Sequence, residues 1–311
     1  MRKSTKASYA FDVVIPAYNN LQQLQACLKG LEHQTFKSFR ALICVDGSTD
    51  GTLKHLSHSD YAFDYKILTH PDGMRHGPAA ARNLSLRHLA STFVCFIDSD
   101  MVPDSGLLEN HWSLLSQGDA VSLGEIVYAN AGTSMVAAYL GSRGRGKRRH
   151  GDRIPAFHMT TGNAALPSRC FSALGGMDRH FRSPYYGDDL EFGYRLQRRF
   201  GIPVIVNKRA LTTTVETKTL DELLRRMQSF GSISVPYLRK KHPEFDAYFR
   251  VRLFDPRCRW STLVRKLVRT SLPQQLERCA SYAPAFLQTR LVHLLVFLHI
   301  GKGYFSADTR P

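Results

Sequence analysis

Phe93-Val94-Cys95-Phe96-Ile97-Asp98-Ser99-Asp100 is the stretch from which the fold can be read. Five apolar residues, β-branched and aromatic ones among them, end abruptly in two carboxylates one residue apart. A run that is apolar at every position predicts a strand buried on both faces, as in a sheet covered by helices. Open α/β sheets bind ligands at the carboxyl ends of their strands, where Asp98 and Asp100 then lie. Neighbouring carboxylates repel each other unless positive charge separates them. A hard divalent cation answers that need, and Mg²⁺ commonly takes one or two protein carboxylates plus substrate phosphates. Alone, Asp-Ser-Asp also suits a solvated turn, so the rest of the chain must decide.

Upstream, the strand pattern occurs three more times. Phe11-Asp12-Val13-Val14-Ile15-Pro16 is a short strand stopped by proline, Phe39–Val45 a second and Tyr65–Leu68 a third. Leu21, Leu24, Cys27, Leu28 and Leu31 recur at helical spacing, with Asn19 or Asn20 as the cap. Another helix is expected from Thr52, and Gly77-Pro78 introduces one through Ala79, Ala80, Ala81, Arg82, Asn83 and Leu86. This alternation predicts an α/β protein with a mainly parallel sheet, flanked by helices and joined by right-handed crossovers. Beyond Val121 the pattern loosens into loops and short elements to about Thr214. From Leu220 the chain reads helical and basic. The expected organisation is a sheet domain over residues 1–220 and a basic, mainly helical C-terminal extension over 221–311.

With 311 residues, 43% of them hydrophobic, the chain is long enough to bury a full core. Its net charge is +16, unevenly placed: from Arg225 onward 16 Lys and Arg face 5 Asp and Glu. Such asymmetry suits nucleic acid, a membrane surface or an anionic substrate. A nucleic-acid-binding protein is the weaker alternative, because carboxylates gather at the strand ends and neither zinc-finger spacing nor an RNA-binding aromatic motif is present. No stretch reaches the roughly 18 apolar residues that span a bilayer. The six cysteines are scattered, and Cys44 and Cys95 sit inside strand-like runs, which predicts buried thiols and a cytoplasmic location. Met1–Ala10 is polar and basic and lacks the apolar core of a signal peptide. Arg143–Arg149 carries five cations in seven residues, either a solvated loop or a clamp for phosphate groups. Arg265, Lys266 and Arg269 precede an apolar helix around Phe286–Phe297, a pattern for core packing, a homo-oligomer contact or peripheral attachment at the inner membrane surface.

Asp46 closes the second strand and so shares a sheet edge with Asp98. Asp46-Gly47-Ser48-Thr49-Asp50-Gly51-Thr52 suits a turn and helix cap as well as a binding loop. Together with Pro16-Ala17-Tyr18-Asn19 and Asp98-Ser99-Asp100, it brings three polar strand ends to one crevice. In these pieces the chain resembles the family-2 glycosyltransferases, which use the nucleotide-sugar-binding, Rossmann-like GT-A fold. Further matching pieces are Gly77-Pro78-Ala79-Ala80-Ala81-Arg82-Asn83, Thr161-Gly162-Asn163-Ala164-Ala165-Leu166, Leu174-Gly175-Gly176-Met177-Asp178 and Gly187-Asp188-Asp189-Leu190-Glu191-Phe192-Gly193-Tyr194-Arg195-Leu196. Their order and spacing fit the family over roughly residues 10 to 230.

The resemblance implies an inverting, metal-dependent transferase that moves a sugar from a nucleoside diphosphate, a UDP-sugar first of all, to a hydroxyl of a glycan, lipid-linked or protein acceptor. By resemblance, Ala17, Tyr18, Asp46 and Arg82 hold the base and ribose, and Gly162 and Asn163 line the donor-sugar pocket. Asp98 contacts the ribose or the metal shell, and Asp100 ligates Mn²⁺ or Mg²⁺ on the diphosphate. Asp189 is the implied base and Asp188 a binder of hydroxyls; as adjacent acids they also suit a helix N-terminus. Many relatives place a histidine ligand before the helix that here begins near Leu220; this chain reads Thr212-Thr213-Thr214-Val215-Glu216 instead, so the resemblance leaves Glu216 or water as the third ligand. A catalytically silent nucleotide-sugar-binding scaffold is the remaining alternative.

Overall fold

A computed structural model describes residues 9–181, 187–244 and 258–307. Most of Met1–Ala10, and residues 245–257 of the basic extension, lie outside the described residues. β1 (Phe11–Ala17), β2 (Phe39–Val45), β3 (Asp64–Thr69) and β4 (Phe93–Ile97) form the parallel half of the sheet, in the order β3-β2-β1-β4. Phe11 lies opposite both Phe39 and Phe93, so β1, β2 and β4 run level and their following loops emerge at one edge. All five β4 residues are buried, as a strand covered on both faces requires. The crossovers are α1 (Leu21–Glu32), α2 (Thr52–Ser57) and α3 (Pro78–Asn83), and α1 buries the stripe of Leu24, Cys27, Leu28 and Leu31.

Where the sequence pattern suggested loops beyond Val121, the sheet continues. β5 (Val102–Pro103), β6 (Val121–Tyr128), β7 (Arg153–Ile154), β8 (Asn163–Pro167) and β9 (Val204–Thr214) extend it as β4-β8-β6-β9-β5, with β7 on β9. The β4–β8, β6–β8, β5–β9 and β7–β9 pairs are antiparallel. α4 (Leu107–Leu115), α5 (Met135–Gly141), α6 (Ser168–Ala173) and α7 (Asp188–Phe200) accompany these strands in sequence. Phe96 of β4 meets Phe171 of α6 edge-on at 5.0 Å, and Phe171 meets Phe192 of α7 at 5.6 Å. Such aromatic pairs anchor helices on a sheet through shape as well as burial.

The chain divides into two compact units. The first runs to Val127 and resumes over residues 144–182 and 188–214; the second joins Tyr128–Arg143 to the chain from Val215 onward. In the second unit α8 (Leu220–Ser229) opens on a capping box between Thr219 and Glu222. A π-helical turn, Phe230–Ser234, links it to α9 (Val235–Lys241). Pro236 has no N–H to give to the preceding turn, and the wide π turn absorbs that loss within one continuous helical run. α10 (Arg259–Arg269), α11 (Leu272–Tyr282) and α12 (Ala285–Ala307) complete the unit. Its core joins Val136 and Tyr139 of α5 to Leu223, Leu224, Ala280, Val292, Leu295 and Val296. α12 packs against α5, α8, α10 and α11 and buries Val292, Leu295 and Leu298. Among the described residues no helix is long and apolar enough to cross a membrane.

α12 crosses α8 at backbone contact. A Cβ on Gly303 would lie 1.9 Å from the Gln228 carbonyl oxygen. Gly303→Ala therefore forces the helices apart and is expected to destabilise the protein by about 1–3 kcal/mol, read as a lowered urea midpoint. An unchanged midpoint would contradict this crossing.

Candidate functional site

The site grows from the carboxyl edge of the parallel half. The Asp98 N–H donates to the Gly162 carbonyl at 3.3 Å, and the Met101 N–H closes the turn on the Asp98 carbonyl at 3.0 Å. Ser99 is buried and accepts from Asn20 Nδ2 at 2.7 Å, which leaves Asp98 half-buried and Asp100 exposed. Gly162 packs on this turn: a Cβ there would lie 3.1 Å from Asp98 Oδ2. Glycine thus lets the Asp98 carboxylate lie back against β8.

Arg82, 4% exposed at the end of α3, is the centre of charge. Its Nη2 donates to Asp98 Oδ1, and its Nη1 is 3.6 Å from Asp188 Oδ2. Asp188 and Asp189 open α7, where acidic side chains complement the helix dipole. The Thr161 hydroxyl donates to Asp189 Oδ1. One guanidinium therefore faces Asp98, Asp188 and Asp189. Burial pushes both α7 carboxyls above their usual range; the neighbouring charge adds to this at Asp188, while Arg82 holds both back. Burial works against the charge on Arg82, yet Asp98, Asp189 and Asp188 raise its pKa overall.

The other strand-end loops are fastened to one another. Asp46, 3% exposed, donates its N–H to the Ala17 carbonyl at 2.9 Å. Its carboxylate accepts the His76 and Gly77 N–H groups at 2.7 and 2.8 Å. Gly47, at φ +69°, admits the loop before α3: a Cβ there would lie 2.6 Å from the Arg75 nitrogen. Asn19, at φ 45°, accepts from the Thr49 N–H through Oδ1 at 2.7 Å and donates its own N–H to Ser48 Oγ at 3.1 Å. The Asn20 side chain makes no cap; Asp50 Oδ2 instead accepts the Leu21 N–H at 2.9 Å and caps α1 from across the crevice.

Three residues of this rim carry no signal in the sequence. The Arg75 guanidinium lies 3.9 Å from the centre of the Tyr18 ring, which is 37% exposed. His70 Nε2 is 3.2 Å from Asp46 Oδ1 without forming a hydrogen bond, and its ring lies 4.4 Å from that of His76. Burial and then His76 lower the His70 pKa, against the pull of Asp46. The Gly-Pro that follows marks a helix start and says nothing about the loop before it.

Two expected site residues have their side chains engaged by protein partners. Asn163 does not line a sugar pocket, because its side chain is fully buried in a polar network beneath the sheet. Its Nδ2 donates to the Glu125 and Ala210 carbonyls at 2.9 and 3.0 Å, and its Oδ1 is 2.9 Å from His111 Nε2. His111 Nδ1 is 2.8 Å from Ser122 Oγ, and burial pushes its pKa down to about 4. The imidazole is therefore neutral, with the proton on Nε2 facing Asn163 Oδ1. Glu216 belongs to the second unit, where Asn130 pins its backbone and its carboxylate accepts from Lys218 N and Nζ at 2.9 and 2.8 Å. A ligand role would require breaking that pair.

Among the described residues no three His, Cys, Asp or Glu side chains gather into an all-protein metal cage. Asp98 and Asp100 offer hard oxygens one residue apart. That donor set fits Mg²⁺ or Mn²⁺ completed by phosphate oxygens and water, and does not fit a soft metal.

The sequence profile of Glycosyl transferase family 2 matches residues 12–174. The glycosyltransferase AglE of Haloferax volcanii is 30% identical over 128 residues, 39% of this chain and 41% of that protein. The UDP-Glc:alpha-D-GlcNAc-diphosphoundecaprenol beta-1,3-glucosyltransferase WfgD of Escherichia coli is 32% identical over 108 residues, 34% of this chain and 41% of that protein. The chain thus spans less than half the length of these curated relatives. Among solved structures, the mannosyltransferase PcManGT of Pyrobaculum calidifontis, in complex with GDP-Man and Mn²⁺, is similar with a TM-score of 0.62. It is 16% identical, and the match covers 98% of this chain and 89% of that one. S. aureus TarS 1-349 in complex with UDP has a TM-score of 0.58 at 17% identity, covering 96% and 90%. At such identities the likeness is one of fold.

Proposed function

The chain belongs to glycosyl transferase family 2 and has the GT-A fold, and from that premise we propose that it transfers a sugar from a nucleoside diphosphate sugar to an acceptor hydroxyl with inversion. The observation that carries this is the cluster in which, among the described residues, one guanidinium, that of buried Arg82, faces Asp98, Asp188 and Asp189. Such an excess of negative charge suits a cation and its diphosphate on one side and a proton acceptor on the other.

In this reading Tyr18, Ala17 and Asp46 hold the base and ribose, and Asp98 with Arg82 orients the ribose and diphosphate. Gly162 leaves room for the donor sugar. A UDP-sugar is the first choice of donor, supported by the names of WfgD and the TarS complex. Asp100, with Asp98, would hold Mn²⁺ or Mg²⁺. That ion would supply Lewis-acid stabilisation of the charge on the departing nucleoside diphosphate. Asp189 takes the proton of the acceptor hydroxyl as its oxygen attacks the anomeric carbon, and Thr161 fixes one carboxylate oxygen so that the other faces the acceptor. Asp188 orients hydroxyls beside it. A single direct displacement inverts the anomeric centre. The acceptor is a glycan, lipid-linked or protein hydroxyl. The described cysteines are free thiols, four of them buried, which supports a cytoplasmic location.

Thermal shift tests the reading. UDP with Mn²⁺ at about 100-fold its Kd is expected to stabilise the protein by about 2.7 kcal/mol, and Asp100→Asn should lose the Mn²⁺-dependent part. No stabilisation by any nucleoside diphosphate, with or without metal, would sink it. A hydrolysis screen over nucleotide sugars then identifies the donor.

A further inference from the structure

Residues 259–307 of the second unit contain seven Lys and Arg and a single acid, Glu277. Glu277 is engaged: its Oε1 lies 3.3 Å from His299 Nε2. Lys266, Arg269, Arg278 and Arg290 are exposed. Asp221 of α8, whose charge also reaches Glu277, is paired with Arg225 at 2.8 Å. Large apolar side chains are exposed beside these cations. Tyr282, ending α11, is 91% exposed, and Phe286, in the first turn of α12, is 71% exposed. Leu287 and Leu294 are also exposed and bracket Arg290 at helical spacing, while Arg278 stands one turn before Tyr282. These side chains do not hang on a loose end. The opposite face of α12 buries Val292, Leu295 and Val296 in the core of the unit.

We propose that the α11–α12 corner docks on an anionic phospholipid surface. Tyr282, Phe286 and Leu287 enter the boundary between headgroups and acyl chains, and Arg278 and Arg290 meet lipid phosphates. Charge favours this occupant over a second copy of the chain, because a two-fold contact on the patch would set the arginines of both copies against each other. The proposal goes beyond the transferase reading and does not rest on it.

Sedimentation of the full chain with vesicles tests it. The protein is expected to bind phosphatidylcholine vesicles that contain phosphatidylglycerol, not pure phosphatidylcholine, and to be released by salt. The double variant Tyr282→Ser with Phe286→Ser is expected to bind about tenfold or more weakly. Arg278→Glu with Arg290→Glu is expected to bind about a hundredfold more weakly. The thermal shift with UDP and Mn²⁺, run on the same samples, reports the fold and donor site separately. Failure of the parent to bind mixed vesicles overturns the proposal, as does unchanged binding by both double variants. Release by millimolar inorganic phosphate alone would reassign the patch to free phosphate, and a dimer lost in the aromatic variant, without vesicle binding, would reassign it to self-association.

Discussion

Asp189→Asn is expected to slow sugar transfer roughly 10²–10⁴-fold while leaving donor affinity nearly unchanged. The amide keeps the size of the side chain and an oxygen that still accepts from Thr161, but it cannot take a proton. Turnover measured beside UDP binding separates the two effects. Loss of donor binding in place of turnover would move Asp189 into the donor pocket. The pH dependence carries a second signature. Burial raises the Asp189 and Asp188 pKa values, with the neighbouring charge acting on the pair, and the base works only when ionised. The rate should therefore climb with pH through a midpoint above the ordinary carboxylate range and level off beyond it. Asp188→Asn removes a like charge and should move that midpoint down. The same shift has the opposite sign for the fold. Because the folded pKa is raised, the stabilising contribution is complete below about pH 4, the unfolded value, and is lost as pH rises through the folded one. Asp188→Asn should accordingly unfold at a higher temperature at neutral pH while transferring sugar more slowly.

Arg82→Met is the largest expected loss of stability. Removing one partner of a buried charged cluster typically costs about 3–5 kcal/mol, because the remaining charges stay buried without compensation. The lower end applies, since the Asp98 side chain keeps 35% of its exposure. Urea unfolding would show the loss. Mild acid should recover part of it by protonating Asp188 and Asp189. Arg82→Lys, which keeps the charge and loses the fork between Asp98 and Asp188, should lose less. A variant as stable as the parent would mean that Arg82 does not offset these carboxylates.

The parallel half of the sheet was legible because β1, β2 and β4 are covered on both faces, so burial left long apolar runs in the sequence, interrupted only by Asp12 and Arg40, which pair with each other. The antiparallel half was not. Its buried positions hold Asn163, Asn207 and Thr212, polar residues that find their partners on other strands and on α4 only once the sheet is assembled. Read along one dimension, such residues resemble loops. Among candidate site residues, the paired acids stood out because neighbouring carboxylates are costly wherever they occur. That Arg82 lies between Asp98 and Asp188 depends on a strand end and a helix start 90 residues apart along the chain meeting in space, and no local pattern reports it. Asn163 was misread because successive strand residues face opposite sides, and a motif does not say which side faces the crevice. The pairing of Glu216 with Lys218 went unseen because Lys218, two residues away, looks like an ordinary surface lysine.

The clasp among Asn19, Ser48, Thr49 and Asp50 has a consequence for timing. These loops tie each other down at 2.7 to 3.1 Å before any ligand arrives. Their disorder was surrendered once, when the chain folded, so a small molecule reaching that edge meets a finished rim and has little left to organise. Asn19→Ala would loosen the rim without touching the acids. Its mark should be a less favourable binding entropy, with the chemical step unaltered.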